Sequence, residues 1–290
     1  MTAYRFCRSD DIELLVGALN RCWSPYFPDQ PPMTPVAFKR SIRDLQVWCS
    51  SCMVAFSGSD PIGVLIGAKR PSATLVHRIA VHPDHRRQGH GRHLLASLGS
   101  KLAILGPPRI VAEVDEALAP ACELFSASGY VQEAALTDYV LEGDEDDALR
   151  TNGVEGFVIP VTVDDLAANG LMEDAHPPCW ERSVETFTAR KDDIAGLAVA
   201  SDERFEAYVL YLAGPLTGAG PTAEILSLRT FVEDGGARLK QLLSRLTAQG
   251  MRGIRFPKVH PSEISQELLE TLGFRPARGH RLYAAKPRSE

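Results

Sequence analysis

The stretch Arg86-Arg87-Gln88-Gly89-His90-Gly91-Arg92 combines cations and glycines in a way suited to holding an anion. The apolar run Ile79-Ala80-Val81 precedes it, and Pro83 ends that run because proline offers no N–H to a strand ladder. Leu94, Leu95, Leu98, Leu102 and Leu105 follow at helical spacing. The first N–H groups of a helix lack an intrahelical acceptor, and the helix dipole adds partial positive charge there. A phosphate suits such an end. Gly89 and Gly91 keep side chains from holding it away, and Arg86, Arg87 and Arg92 can add charge-assisted hydrogen bonds. Two other phosphate motifs fail. No Gly-Lys-Ser/Thr follows, as a P-loop needs, and the third glycine of a dinucleotide fingerprint is missing.

The elements that must position this loop are legible around it. A strand near Tyr4–Cys7 precedes a helix with Ile12, Leu14, Leu15, Ala18 and Leu19 on one side, and a second helix covers Pro35–Leu45. Met53–Phe56, Ile62–Ala68 and Thr74–Val81 read as strands. After the helix from Gly91 to Leu105 come a strand at Arg109–Val114, a helix at Ala119–Ser128 and a strand at Thr137–Leu141.

The acidic segment Glu142–Asp147, running on to Gly153, has no hydrophobic period and reads as a linker. A weak repeat spans it. Leu124-Phe125 and Gly129-Tyr130 answer to Leu268-Leu269 and Gly273-Phe274 at an offset of 144, which also carries Gly106 to Gly250 and Ile110 to Ile254. The expected organisation is therefore a domain over 1–142, a linker over 143–154 and a second domain over 155–290. The second half repeats the order of elements, with strands at Ile194–Ala200, Tyr208–Leu212, Glu224–Val232, Ile254–Val259 and Arg281–Ala285, and helices at Gly236–Ala248 and Glu263–Leu272. Mixed strands and helices with short connections indicate α+β architecture.

A net charge of −6 argues against nucleic acid as a partner. No segment approaches the roughly 20 apolar residues of a membrane span, and the first residues show no signal-peptide run, so a cytoplasmic protein without a membrane partner is expected. The six cysteines read as reduced thiols, and Cys49-Ser50-Ser51-Cys52 lacks the second pair that a zinc ribbon needs, so no metal is expected.

The chain resembles the GNAT acetyltransferase superfamily. Arg86-x-x-Gly89-x-Gly91 matches that family's Arg/Gln-x-x-Gly-x-Gly/Ala signature, and Ala121, Leu124, Phe125, Gly129 and Tyr130 match a second element. The resemblance covers about Tyr4–Leu141 and implies a sheet, mixed but mostly antiparallel and flanked by helices, in each of two tandem domains. It further implies acetyl-CoA as cosubstrate, with the acyl-pantetheine between the strands of Ile79-Ala80-Val81 and Ile110–Val114 and its diphosphate on the loop from Arg86 through Gln88 and His90 to Arg92, with Phe125 also at the donor. The second half looks like a degenerate copy. Arg229 to Gly236 is 7 positions where Arg78 to Arg92 is 14, and Glu233-Asp234 puts acid where phosphate would arrive.

Acyl transfer to an amine needs a base, and His77 is the first candidate because strand alternation aligns it with Ile79 and Val81. Glu113 and Asp115 are alternatives, and His77 can equally be a strand histidine satisfied by a neighbour. The family often has Tyr where this chain has Phe125 and Asn where it has Leu118, so water or Tyr139 is left as proton donor. Trp23, Tyr26 and Phe27 line the acceptor site or close a small core. The expected activity is transfer of acetyl to an amine of a small molecule or peptide. The alternative is a catalytically weak CoA-binding sensor. Two fused copies can imitate a dimer, so a monomer is expected.

Overall fold

One order of elements runs twice along the chain. The first pass is β1 (Thr2–Phe6), α1 (Ile12–Cys22), α2 (Pro35–Leu45), β2 (Met53–Ser57), β3 (Asp60–Lys69), β4 (Thr74–Val81), α3 (His90–Leu105), β5 (Ile110–Asp115), α4 (Ala119–Ala127) and β6 (Val131–Glu142). The second is β7 (Phe157–Pro160), α5 (Val163–Ala168), α6 (Val184–Ala189), β8 (Ala195–Ala200), β9 (Phe205–Ala213), β10 (Thr222–Thr230), α7 (Ala237–Ala248), β11 (Gly253–Val259), α8 (Gln266–Thr271) and β12 (Arg275–Ala285). This computed structural model describes residues 2–142, 157–172, 179–214 and 221–288, and the expected linker over 143–154 lies outside the described residues.

The elements form two compact units, one of Met1–Ala134 with Arg281–Glu290 and the other of Ala135–His280. In the first, the strand order is β1-β2-β3-β4-β5 and then the Arg281–Ala285 end of β12. The pairs from β1 to β4 are antiparallel, and β4 with β5 is parallel. The second unit runs β6-β11-β10-β9-β8-β7, antiparallel except for β10 with β11.

Each half therefore surrenders its closing strand. Thr137–Leu141, read from sequence as the end of the first half, sits in the second unit, where Leu141 faces Ile254 and Tyr139 faces Phe256 of β11. Arg281–Ala285 belongs to the first unit. Alternating apolar residues specify that a segment is extended and which face is buried, but not which sheet edge receives it.

In the first unit α3 buries Leu94, Leu95, Leu98 and Leu102 in a core shared with Val76, Ile110, Phe125, Tyr130 and Tyr283. Leu105, expected on the same stripe, is exposed. Thr34 caps α2 by accepting the Ala37 N–H at 3.1 Å, and Pro35 follows where its missing N–H costs nothing. Tyr283 stacks on Phe125 at 5.8 Å between ring centroids, and Phe125 meets Tyr130 edge-on at 5.2 Å. β1 is tied to the start of α3 by a 2.6 Å hydrogen bond between the Tyr4 hydroxyl and Nδ1 of His90. Burial lowers the His90 imidazole from its ordinary value, and the neighbouring His85 and His93 push the same way.

Tyr283→Ala is expected to destabilise the first unit by about 3 kcal/mol, the cost of deleting a buried aromatic ring. Hydrogen exchange at α3 and β5 under increasing urea reads this, and unchanged protection would show that β12 contributes nothing there. His90 makes a second prediction. The unfolded imidazole takes its proton near pH 6.5 and the folded one only at lower pH, so the unfolded state gains protons first. Stability is full above about pH 6.5 and falls as the pH drops towards the folded value. Urea midpoints at pH 7.5 and 5.5 should differ less in His90→Gln than in the parent chain.

Candidate functional site

The parallel ladder between β4 and β5 joins Thr74 to Ile110 and Leu75 to Val111, after which the strands part. Against β3, Val76 faces Gly67 and Arg78 faces Ile66, so His77 is an extra residue in β4. Such a bulge bends a strand and increases its twist. It comes just past the last pair with β5, where bending away opens a gap. The alternation that aligned His77 with Ile79 and Val81 does not hold across it.

The cavity beside the end of β4 has a volume of about 590 Å³ and takes no wall from β5. Ile79, Ala80 and Val81 form one wall, with Arg86, Arg87 and Gly89 of the loop and His90, Gly91 and Arg92 at the mouth of α3. Leu118, Glu123 and Leu124 bound it from α4 and the turn before it, and Trp23, Tyr26 and Phe27 from the segment after α1. Gln88, Phe125, His77 and Glu113, the other residues expected at the site, are not among its walls. Phe125 is instead a core ring, 2 % exposed. His77 and Glu113 are half-buried on the two strands that part. Asp115 accepts the Ala117 N–H at 2.9 Å and so shapes the turn into α4. Tyr139 belongs to the core of the second unit.

No side chain caps α3. Its first intrahelical bond runs from the His93 N–H to the Gly89 carbonyl at 3.0 Å, which leaves the N–H groups of Gly91 and Arg92 without an acceptor in the helix. Gly89 is needed for its backbone, at φ 85°, where a Cβ would be strained. Gly91 has a different reason from the one read from sequence. A Cβ there would come within 3.0 Å of Leu124 in α4, so this glycine lets two helices approach. Arg87 also adopts a left-handed φ, 61°, which is uncommon away from glycine.

The aromatic residues after α1 are a wall of the cavity. Trp23 and Phe27 stack at 4.6 Å, the Arg78 guanidinium lies 5.2 Å from the Trp23 ring, and Arg86 lies 5.6 Å from the Tyr26 ring. The Tyr26 hydroxyl donates to the Val81 carbonyl at 2.6 Å. That bond joins residues 55 apart and left no mark in the spacing of the sequence. All six cysteines are free; burial pushes Cys7 up to about 12 and Cys52 higher still, so neither is a thiolate near neutrality.

The second unit repeats the device and fills it. β10 pairs with β11 from Thr222/Gly253 to Glu224/Arg255, and its own bulge falls at Leu226. Arg182, fully buried, donates from Nη1 to the Leu226 carbonyl of β10 at 3.2 Å and from Nη2 to the Lys258 carbonyl of β11 at 3.0 Å. Glu263 takes both of its Nη groups, at 2.6 and 2.7 Å. At the mouth of α7 the Asp234 carboxylate accepts the N–H of Gly236 and of Arg238, each at 2.9 Å. The loop itself is less shortened than the sequence count suggested. Residues 231–236 connect β10 to α7, six against the eight of 82–89, because the bulges set Leu226 level with His77.

Among the described residues no helix is long and apolar enough to cross a membrane. None of the curated proteins matches the chain in sequence. Residues 15–130 match the acetyltransferase (GNAT) family. Among solved structures, a tandem GNAT protein from the clavulanic acid biosynthesis pathway aligns over 100% of both chains at 18% identity and a TM-score of 0.68. A GCN5-related N-acetyltransferase from Sphaerobacter thermophilus aligns over 99% of this chain and 96% of its own, at 14% identity and 0.66. The glucosamine N-acetyltransferase region of a fungal multi-domain GH3 β-N-acetylglucosaminidase gives 0.72 at 13% identity, over 98% of this chain and 38% of that one. At these identities the likeness is one of fold, and it spans both halves. The family match lies within the first unit, over residues 15–130, and the likeness of fold extends to tandem GNAT structures over both halves.

Proposed function

We propose that this protein transfers an acetyl group from acetyl-CoA to an amine of a small molecule or peptide, with the donor held by the first unit. One observation carries the reading: the mouth of α3 is uncapped and opens into the cavity beside the end of β4, whereas the matching mouth of α7 is filled by Asp234. The residues of that cavity fit the donor. The Gly91 and Arg92 amides and the side chains of Arg86, Arg87 and Arg92 meet a diphosphate. Main chain at Ile79 and Val81 meets the pantetheine amides. Tyr26 already occupies one lone pair of the Val81 carbonyl and leaves the other. Bound acetyl-CoA supplies an acetyl group activated as a thioester.

The acceptor enters against the aromatic wall of Trp23, Tyr26 and Phe27. We assign proton removal from it to His77, with Glu113 as the alternative. Neither lines the cavity, so the proton passes through water. Phe125 has no proton to give and lies in the core, so water also serves as acid. The sensor reading is favoured by one fact, the apolar Leu118 in the wall. Release of free thiol from acetyl-CoA with a panel of amines separates the two, since a sensor binds the donor and releases none.

Calorimetry with coenzyme A tests the donor site directly. The double variant Arg86→Ala/Arg92→Ala is expected to bind at least about tenfold more weakly, with the loss shrinking at high salt. Absence of heat with the folded parent chain sinks the proposal. For the base, His77→Ala should lower kcat about a hundredfold while the KM for donor stays constant. Unchanged turnover would move that role to Glu113, and Glu113→Gln is then the variant that loses it.

A further inference from the structure

A second cavity of the first unit, of about 320 Å³, lies along α3 and shares Arg92 and Ala127 with the donor cavity. Lys286 and Arg288, from the segment after β12, also line it. That segment runs close against the helix: a Cβ at Gly99 would stand 3.8 Å from the Arg288 carbonyl. The walls thus carry three cations and no carboxylate. Arg92, Lys286 and Arg288 are all exposed, and none is ion-paired among the described residues. Ser128 and Tyr130 of its walls carry hydroxyls that are buried behind this surface with no hydrogen-bond partner.

Three cations without counter-ions around one cavity, with no carboxylate in its walls, describe an anion site. Coenzyme A carries a third phosphate, on the ribose 3′ oxygen, beyond the diphosphate assigned to the mouth of α3. Arg92 stands in the walls of both cavities and marks their junction. We propose that this groove receives the 3′-phosphate of the donor, held by Lys286 and Arg288, so that a segment 194 positions beyond Arg92 of the phosphate loop completes the donor site. The inference rests on the donor reading given above. It also gives the strand exchange a use, since β12 delivers these two cations to the unit that holds the loop.

The test compares coenzyme A with dephospho-coenzyme A, which lacks only that phosphate, by calorimetry on the full chain in a phosphate-free buffer of low ionic strength. The parent chain should prefer coenzyme A about tenfold. Lys286→Ala/Arg288→Ala should bring the ratio towards one by weakening coenzyme A, and Lys286→Arg/Arg288→Lys, which keeps both charges, should restore it. Both residues are exposed, so these variants fold. Equal affinity for the two ligands in the parent chain, or a preference that survives the alanine variant, overturns the inference and leaves the donor reading standing. No heat with either ligand overturns both.

Discussion

A helix begins with backbone N–H groups that must find acceptors outside the helix. Both units meet this demand after the same prelude: a bulged strand, a short loop and a glycine with φ near +85° as the residue before the helix. They differ in the acceptor. In the second unit Asp234 folds back onto the amides of Gly236 and Arg238, so the chain supplies its own anion. In the first, no side chain does so, and the amides face a cavity. Water can satisfy them there, and a phosphate that displaces it gains charge as well as hydrogen bonds. The open mouth is therefore stable without ligand and ready for one.

The parting of the strands poses a second demand, because a bulge leaves backbone groups out of the ladder. The second unit answers with Arg182, whose guanidinium reaches carbonyls on both strands, pairs with Glu263 and lies 4.7 Å from the centre of the Phe256 ring. Burying a cation costs several kcal/mol unless its hydrogen bonds are met, and here the carboxylate and two carbonyls take both Nη groups while Nε lies buried without a partner. In the first unit the corresponding edges, at Ile79 and Val81, line the cavity instead. One topology thus carries an open cavity in one unit and, with a loop two residues shorter, the side chains of Asp234 and Arg182 in the matching place of the other.

Much of this was legible in sequence because it is local. The Arg86–Arg92 loop, the strand before it and the helix after it depend on neighbours within about thirty residues, and their periods and breakers were enough to place them. The repeat was legible because it constrains packing: Leu124 against Gly91 is matched by Leu268 against Gly236. What escaped was non-local. β7 and α5 are short, and their few buried residues give no full period. The bulge at His77 is an irregularity of pairing with β3, invisible to alternation counting. The exchange of β6 and β12 turns on which edge each strand meets, about which a strand pattern is silent.

That exchange explains why position 125 holds phenylalanine. The strand that fills the edge beside β5 brings Tyr283 onto this ring, with Tyr130 on its other side. A tyrosine at 125 would thrust its hydroxyl among rings, and the Tyr130 hydroxyl already lies buried there without a partner. A second such group would add the cost of an unmet hydrogen bond, about 1–3 kcal/mol. The same strand therefore sets two properties of the first unit at once. It packs the ring of residue 125 into the core, and it makes a core of residues 94–130 depend on residues 281–285. Contacts so far apart in sequence form late, because the loop between them must close first. The first unit can be complete only once the last strand has been made, so its site belongs to the whole chain and not to its first half.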